Sequence, residues 1–327
     1  MKFKLYANCI PTKGAQRSTI CDVQRGDIYL IPNALFDILS QHPNKSVDEV
    51  KGYYDESNAQ VIDEYFSFLI DNELGFFCNN PENFPDIELA WESPEVITNA
   101  IVDIDSTSTY TIDKVLQELQ DLGCKNIEFR IYNGYDLERL TGLLNKLEDS
   151  IFRYVSLLVR SHYSFSVENI KNLCTQFRRL QSVVVFGAEK DQTEDDIFYT
   201  TQNIESSNCC GVVSYKYFTP NLKMFSESRN FNSCLNRKVS IDVKGVIRNC
   251  PSMKEGYGDI NYTELREVIR KPEFQKYWHI TKDEIDICKV CEFRNVCTDC
   301  RAFTKEPPSL YSKPSKCSYD PYTTTWN

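Results

Sequence analysis

The sequence predicts an α/β protein in three consecutive parts: a small module of strands followed by helices, a partial βα barrel, and a cysteine-rich C-terminal domain. Three observations carry this. Apolar strands recur about every 27 residues from residue 100 to 186, each followed by an amphipathic helix, the pattern of βα units on a parallel sheet. Seven of the fourteen cysteines lie between Cys234 and Cys317. Residues 79–94 contain three prolines and no periodicity, which marks a linker between the first part and the second.

The first part spans residues 1–80. Phe3–Ala7, Ser18–Val23 and Ile28–Ile31 read as strands, the last two joined at the turn Gln24-Arg25-Gly26-Asp27. Asn33 is placed to cap a helix ending before Pro43. Ser46 and Glu49 have capping-box spacing and open a second helix through Tyr54. A third helix runs over residues 59–72, with Val61, Ile62, Tyr65, Phe66, Leu69 and Ile70 as its apolar stripe. Three strands then three helices suit a winged-helix-like module.

The second part spans residues 95–230. Strands are expected at Ala100–Ile104, Asn126–Ile131, Tyr154–Val159 and Ser182–Phe186, with helices at Ile112–Leu122, Leu137–Leu147 and Val167–Phe177. The count is too low for a closed eight-stranded barrel. An open partial barrel of five or six strands, finishing near Val212–Tyr215, fits the length.

Composition limits the function classes. A net charge of −10 disfavours nucleic acid, whose phosphates need a basic footprint. No uncharged apolar run approaches the roughly 18 residues of a membrane span, and Met1–Tyr6 lacks the apolar core of a secretory signal. A cytoplasmic protein is expected. With fourteen cysteines and only three histidines, any metal must rest mainly on thiolate.

The third part, residues 231–327, supplies that thiolate. It reads Cys234, ten residues, Gly245, four residues, Cys250, then Cys288-x2-Cys291-x5-Cys297-x2-Cys300 and finally Cys317. Close pairs let one turn offer two ligands to one ion or cluster. Val239–Val243 and Val246–Arg248 form a hairpin that brings Cys234 and Cys250 together at its base. Seven ligands suit four plus three, which favours iron–sulfur clusters and keeps zinc as the alternative. The adjacent pair Cys209-Cys210 is either a further ligand or buried filler. Cys124, Cys174 and His162 are expected to be structural.

This arrangement, together with Cys291-Glu292-Phe293-Arg294-Asn295-Val296-Cys297-Thr298-Asp299-Cys300, resembles the SPASM domain of radical S-adenosylmethionine (SAM) peptide-modifying enzymes. It is similar to the SPASM proteins of "grasp-with-spasm" systems, which act with an ATP-grasp ligase on a precursor peptide of the graspetide class of ribosomally synthesised, post-translationally modified peptides (RiPPs). The resemblance covers roughly the last third of the chain. It implies two 4Fe-4S clusters, one on Cys288, Cys291, Cys297 and Cys317, the other on Cys234, Cys250 and Cys300 with an open position. The family usually spaces its last close pair by three residues, and here Thr298-Asp299 gives two. A radical SAM barrel would carry Cys-x3-Cys-x2-Cys after its first strand. Asp105–Tyr110 stands there instead, without a cysteine, and Tyr132–Tyr135 replaces the expected Gly-Gly-Glu. No SAM binding and no SAM-cleaving radical chemistry are therefore expected.

The first part resembles a PqqD-type peptide-recognition element, which implies that a leader peptide adds a strand to a sheet edge. The expected edge is Ile20–Ile31 with the third helix; a plain packing role is the alternative. The sequence thus points to an accessory maturation protein that binds the precursor leader, carries clusters, and cooperates with the ligase. The alternatives are a redox enzyme using the open cluster on a peptide, and a zinc- or cluster-stapled scaffold.

Overall fold

The computed structural model describes residues 1–305 and 309–326. In chain order the first elements are β1 (Lys2–Leu5), β2 (Cys9–Thr12), β3 (Arg17–Asp22), β4 (Asp27–Pro32), α1 (Asn33–Gln41), α2 (Val47–Lys51), α3 (Ala59–Asp71) and β5 (Gly75–Cys78). The repeated units follow: β6 (Asn99–Ile104), α4 (Ile112–Asp121), β7 (Asn126–Ile131), α5 (Leu137–Asn145), β8 (Tyr154–Arg160), α6 (Val167–Gln176), β9 (Leu180–Phe186), β10 (Gln192–Glu194) and β11 (Ile197–Thr200). Then come α7 (Leu222–Asn230), β12 (Lys238–Ile241), β13 (Ile247–Arg248), α8 (Leu265–Ile269), α9 (Pro272–Gln275), β14 (Tyr319–Asp320) and β15 (Thr325–Trp326).

The chain divides into two compact units, each assembled from separate stretches. The first contains Met1–Trp91, Val213–Ser233 and Ile280–Asn327; the second contains Glu92–Val212 and Cys234–His279. This partition differs from the three consecutive segments read along the sequence, because packing joins stretches that the chain separates.

The second unit holds a mixed α/β fold around a sheet of eight strands in the order β10-β11-β9-β8-β7-β6-β12-β13. Neighbours from β11 through β12 are parallel, and the two outermost pairs are antiparallel. The sheet is open. Its consecutive strands β6 to β9 advance in one direction, so right-handed crossovers put α4, α5 and α6 on one face. That face is the main core: Val102, Ile104, Phe129, Ile131, Leu157 and Val185 pack under Leu119, Leu140, Leu144 and Ile170. The expected helices and strands stand where periodicity put them. The end of the sheet does not. No strand forms at Val212–Tyr215; β11 and β12 fill the two flanking positions of the parallel sheet, and Tyr215–Tyr217 is a single helical turn in the other unit. The hairpin read as part of the metal segment is thus a sheet edge, with β12 paired to β6 along Lys238–Ile241. Gly245 makes its turn possible, since its φ of +81° is one that a side chain disfavours.

The first unit contains two small antiparallel sheets, β1-β5 and β2-β3-β4, with β14-β15 near the end of the chain. Strand β2 and strand β5 were not anticipated. Ser46 and Glu49 form the expected capping box on α2. Asn33 does not cap α1: its Oδ1 accepts the Ser18 hydroxyl at 2.6 Å, and its amide donates to the carbonyls of Gly14 and Ala15. A tertiary partner outcompetes the local cap. On α3 only Ile62, Phe66 and Leu69 are buried, while Val61 and Ile70 face solvent.

Strands β2 and β3 lie directly against the cysteine-rich stretch of the same unit. Arg17 Nε donates to Glu292 Oε1 at 2.8 Å, and Arg17 and Glu292 both bond the Tyr319 hydroxyl. Thr19 Oγ1 donates to the Glu292 carbonyl at 2.9 Å, Asn295 Nδ2 to Thr12 Oγ1 at 3.1 Å, and the Ala15 amide to the Val290 carbonyl at 2.8 Å. Gly14 sits in this seam. A Cβ there would come within 2.8 Å of the Glu292 Cβ and 2.2 Å of the Arg17 carbonyl, so only glycine fits. Ile10, Cys21, Val23, Phe225, Phe293, Val296 and Tyr319 form one apolar cluster beneath it.

Candidate metal centre

Four cysteines of the expected first set come together in the first unit. Cys288, Cys291, Cys297 and Cys317 line one small pocket whose walls are Val213, Phe218, Phe293, Tyr319 and Trp326. Single turns place them. Ile287 adopts φ +68°, a strained value for a β-branched residue, and starts the short 3-10 turn Cys288–Val290. The Cys291 amide then closes back to the Cys288 carbonyl at 2.9 Å, and the Cys317 amide to the Pro314 carbonyl at 3.1 Å.

Burial disfavours thiolate in this pocket. It pushes the Cys288 thiol up to about 11 and raises Cys291 and Cys297 as well. Opposing it, the buried Lys282 puts its ammonium 2.9 Å from the Cys297 sulfur and 3.3 Å from the Thr298 carbonyl. Burial works against the Lys282 charge, but Cys297, Cys288 and Asp299 outweigh it and hold its pKa above the ordinary lysine value. A thiol set of this kind releases its protons to a metal, because a bound cation is the largest local charge.

Among the described residues, no three His, Cys, Asp or Glu side chains stand close enough to share one metal ion. A cubane asks for something different. Each thiolate binds its own iron corner, so the sulfurs surround a shared volume rather than a point. The four thiols line one small pocket together with Lys282 and Arg294, and a 4Fe-4S group there would be held by Cys288, Cys291, Cys297 and Cys317.

The second expected set is divided between units. Cys234 and Cys250 belong to the second unit and Cys300, which is buried, to the first. At the base of the β12-β13 hairpin, Cys234 and Cys250 stand near enough for their charges to interact, and Lys238 Nζ lies 3.5 Å from the Cys234 sulfur. Burial first, then Cys234, pushes the Cys250 thiol up to about 12. Cys210 enters the same group, interacting electrostatically with both Cys250 and Lys238. The adjacent Cys209 is exposed.

Other sequence readings resolve plainly. Cys124 is buried, its thiol raised to about 12 by desolvation, and Cys174 is half-buried. His162 Nδ1 lies 2.8 Å from the Ser164 hydroxyl, with its ring against Tyr163 and Phe165. In the Asp105–Tyr110 loop, Asp105 Oδ1 accepts from the Thr107 amide and hydroxyl at 2.7 Å, and the Ser106 amide donates to Asn133 Oδ1 at 2.7 Å.

The expected peptide edge needs correction. Of the expected edge Ile20–Ile31, the β3 part is the middle strand, paired along its length with β2 and β4, and offers no edge, whereas the Ile28–Ile31 part lies on the edge strand β4. The free edges belong to β2 and β4. A cavity of about 300 Å³ lies beside β1 and β2, bounded by Ile38, Leu39, His42 and Lys45 from α1 and the turn after it, and by Asp86, Ile87 and Leu89.

Three features gave no sequence signal. They are Lys282 against Cys297, the Arg17–Glu292–Tyr319 bonds, and Lys238 against Cys234. The first two are fixed by contacts distant in the chain, the third by a partner four residues away. No helix among the described residues is long and apolar enough to cross a membrane. No protein-family model matches the chain, and no curated protein matches it.

Proposed function

We propose that this protein is a SPASM-type accessory factor in the maturation of a ribosomally made peptide of the graspetide class. It binds the precursor's leader through its N-terminal winged-helix-like recognition module and carries 4Fe-4S clusters on its C-terminal cysteines. It cooperates with an ATP-grasp ligase in the cytoplasm. The observation that carries the reading is the shared pocket of Cys288, Cys291, Cys297 and Cys317 beneath the β2-β3-β4 sheet, in one compact unit. A cluster bound there supplies electron transfer or a rigid, charge-neutralised staple.

The chain's own residues would do the remaining work. Lys282 offsets thiolate charge at the pocket. The Arg17–Glu292–Tyr319 bonds tie the recognition sheet to the cysteine turns, so an event at one reaches the other through a short path of buried polar contacts. The cavity beside β1 and β2 offers a strand edge next to apolar side chains, the combination that extended peptides use.

The test is anaerobic purification followed by iron and sulfide analysis, then ligase turnover on the precursor with and without this protein. About eight irons per chain and a broad visible absorbance are expected. A colourless protein holding only zinc would replace the cluster with a structural staple. A ligase whose rate, product pattern and precursor affinity are all indifferent to this protein would end the accessory reading. Groove variants serve better than truncation for leader binding, since β2 and β3 are built into the cysteine unit. Tyr6→Ala and Lys45→Glu, both lining the cavity, are expected to weaken a labelled leader peptide about tenfold.

A further inference from the structure

The second unit also has a polar cavity, with Pro251, the neighbour of Cys250, in its lining. Its volume is about 360 Å³, and it is lined by Asp103, Asp105, Tyr132, Arg160, Glu205 and Asp242. These residues cluster at the C-terminal ends of the parallel strands: Asp103 near the end of β6, Tyr132 just after β7, Arg160 closing β8, and Asp242 just after β12. Open α/β sheets bind ligands at that end of their strands.

Asp103 is the side chain that calls for an explanation. It is only 4% exposed, on the sheet face opposite the helices. Its Oδ2 accepts a long bond from the Tyr132 hydroxyl at 3.3 Å, and its Oδ1 has no hydrogen-bond partner. A buried carboxylate oxygen without a donor is costly, and native structures keep few of them. Arg130, whose Nε is engaged by Glu128 at 2.5 Å, attracts the Asp103 carboxylate electrostatically but gives its Oδ1 no hydrogen bond.

The rest of the lining selects the missing donor. Four carboxyl groups face one guanidinium, that of the exposed Arg160. Two of the four hold loops: Asp242 accepts from the Lys244 and Val246 amides and from Arg248 Nε, all at 2.9 Å, and Asp105 holds Thr107. Asp242 is neutralised by Arg248, so the negative charge of the lining comes from Asp105 and Glu205, while Asp103 Oδ1 keeps its acceptor capacity. No three of these groups converge as they would around a metal ion, among the described residues. A cation with N–H donors on a slender stem matches field, depth and acceptor together.

We propose that this cavity binds a primary ammonium group, which donates to Asp103 Oδ1 at the cavity floor. The reading is independent of the cysteine site. Both a lysine side chain in a peptide and a free aliphatic diamine carry this chemistry.

The proposal has a proton signature. Burial raises the Asp103 carboxyl to about 7, with Arg130 and the Tyr132 hydroxyl pulling it down and Glu128 and Asp242 pushing it up. An ammonium ligand binds the ionised form, so binding releases a proton below that value. Affinity therefore rises up to tenfold per pH unit through the acid side of 7 and levels off above it.

The experiment is calorimetric titration of the full-length protein at pH 6, 7 and 8 with two probes, Nα-acetyl-lysine methylamide and 1,4-diaminobutane. Binding by either probe, tighter at pH 8 than at pH 6, is the expected result, and the tighter probe identifies the source. Asp103→Asn is expected to lose at least about tenfold in affinity, the value of a charge-assisted hydrogen bond, and to lose the pH dependence. Glu205→Gln, at the exposed rim, should weaken binding less and keep the pH profile. If neither probe binds at pH 8 at millimolar concentration, or if Asp103→Asn binds equally well, the proposal is wrong. Should Asp103→Asn fail to fold, the carboxyl carbon resonance of Asp103 in the wild-type protein decides. Its titration midpoint must fall on saturation with the probe, and an unmoved midpoint overturns the assignment.

Discussion

Two groups of cysteines each stand beside a lysine, and they reach that arrangement by different routes. Cys288, Cys291 and Cys297 come from one short run of turns, joined by Cys317, and line a pocket walled by aromatic rings, with Lys282 buried against Cys297. Cys210, Cys234 and Cys250 come from a loop, the approach to an edge strand and the far side of a hairpin, with the partly buried Lys238 beside Cys234. The first group is local chemistry held by short closures. The second depends on the parallel pairing of β12 with β6, so its geometry follows from the sheet. A thiol site can thus be written into spacing, or it can be a by-product of where a hairpin docks.

Removing ligands has the largest effect. On the proposed reading, in which each group would hold a separate cluster, Cys297→Ala and Cys250→Ala are each expected to cost about half of the iron in anaerobic preparations. Cys210→Ala should also lower iron bound at the second group, while Cys209→Ala, altering an exposed thiol, should not. Equal iron in Cys210→Ala and wild type would remove Cys210 from that group and restore the open position.

Next comes the seam beneath the first group. Gly14→Ala is expected to destabilise its unit by about 1–3 kcal/mol, because the new methyl meets backbone and the Glu292 Cβ rather than a yielding side chain. Hydrogen exchange should accelerate across Cys288–Cys297. Gly142→Ala, in α5 with open space around it, is the contrasting control and should stabilise by about 0.5–1 kcal/mol. Destabilisation by both would mean that the seam has no special closeness.

The lysines give a smaller, directional effect. Lys282→Met removes a positive charge and a donor next to Cys297, so the midpoint potential of the first cluster should fall, as read by redox titration with electron paramagnetic resonance. Lys238→Met should lower the second cluster's potential and leave the first unchanged. A shift of both by either variant would contradict their separate attachment.

A pH effect distinguishes the carboxyl cavity from the thiols. Asp103 is raised from its ordinary 3.8 to about 7 chiefly by burial, so the folded protein binds more protons than the unfolded chain between those values. Its contribution favours the fold at acid pH and declines as pH rises from about 4 to 7, then stays level. Asp103→Asn should abolish that component of the denaturation profile. A variant with the same pH slope as wild type would place the slope on other groups.

Much of the fold was legible. Short apolar runs followed by a helical period located β6 to β9 and α4 to α6, because the helix-covered face of those strands and one face of each helix must leave water. The capping box of α2 was readable from Ser46 and Glu49 alone, since both partners lie within one turn. Asn33 was misread because Ser18 and the Gly14 and Ala15 carbonyls, distant in sequence, hold its side chain. Of the expected edge Ile20–Ile31 only the β3 half was misread, because the flanking strand β2, short and containing Pro11, carried too weak a pattern to reveal that β3 has partners on both sides; the β4 half is a free edge.

By itself the sequence determined which residues could be ligands, which segments repeat as βα units, and how the tight turns of the Cys288–Cys297 run are spaced. These are local properties, set by side-chain chemistry and by geometry within a few residues. Tertiary structure alone decided that Lys282 meets the Cys297 sulfur, that strands β2 and β3 bond to Asn295 and Glu292, and that Asp103 is left with an unsatisfied oxygen. Each depends on contacts between residues far apart in the chain, where packing and desolvation act and where no spacing rule reaches.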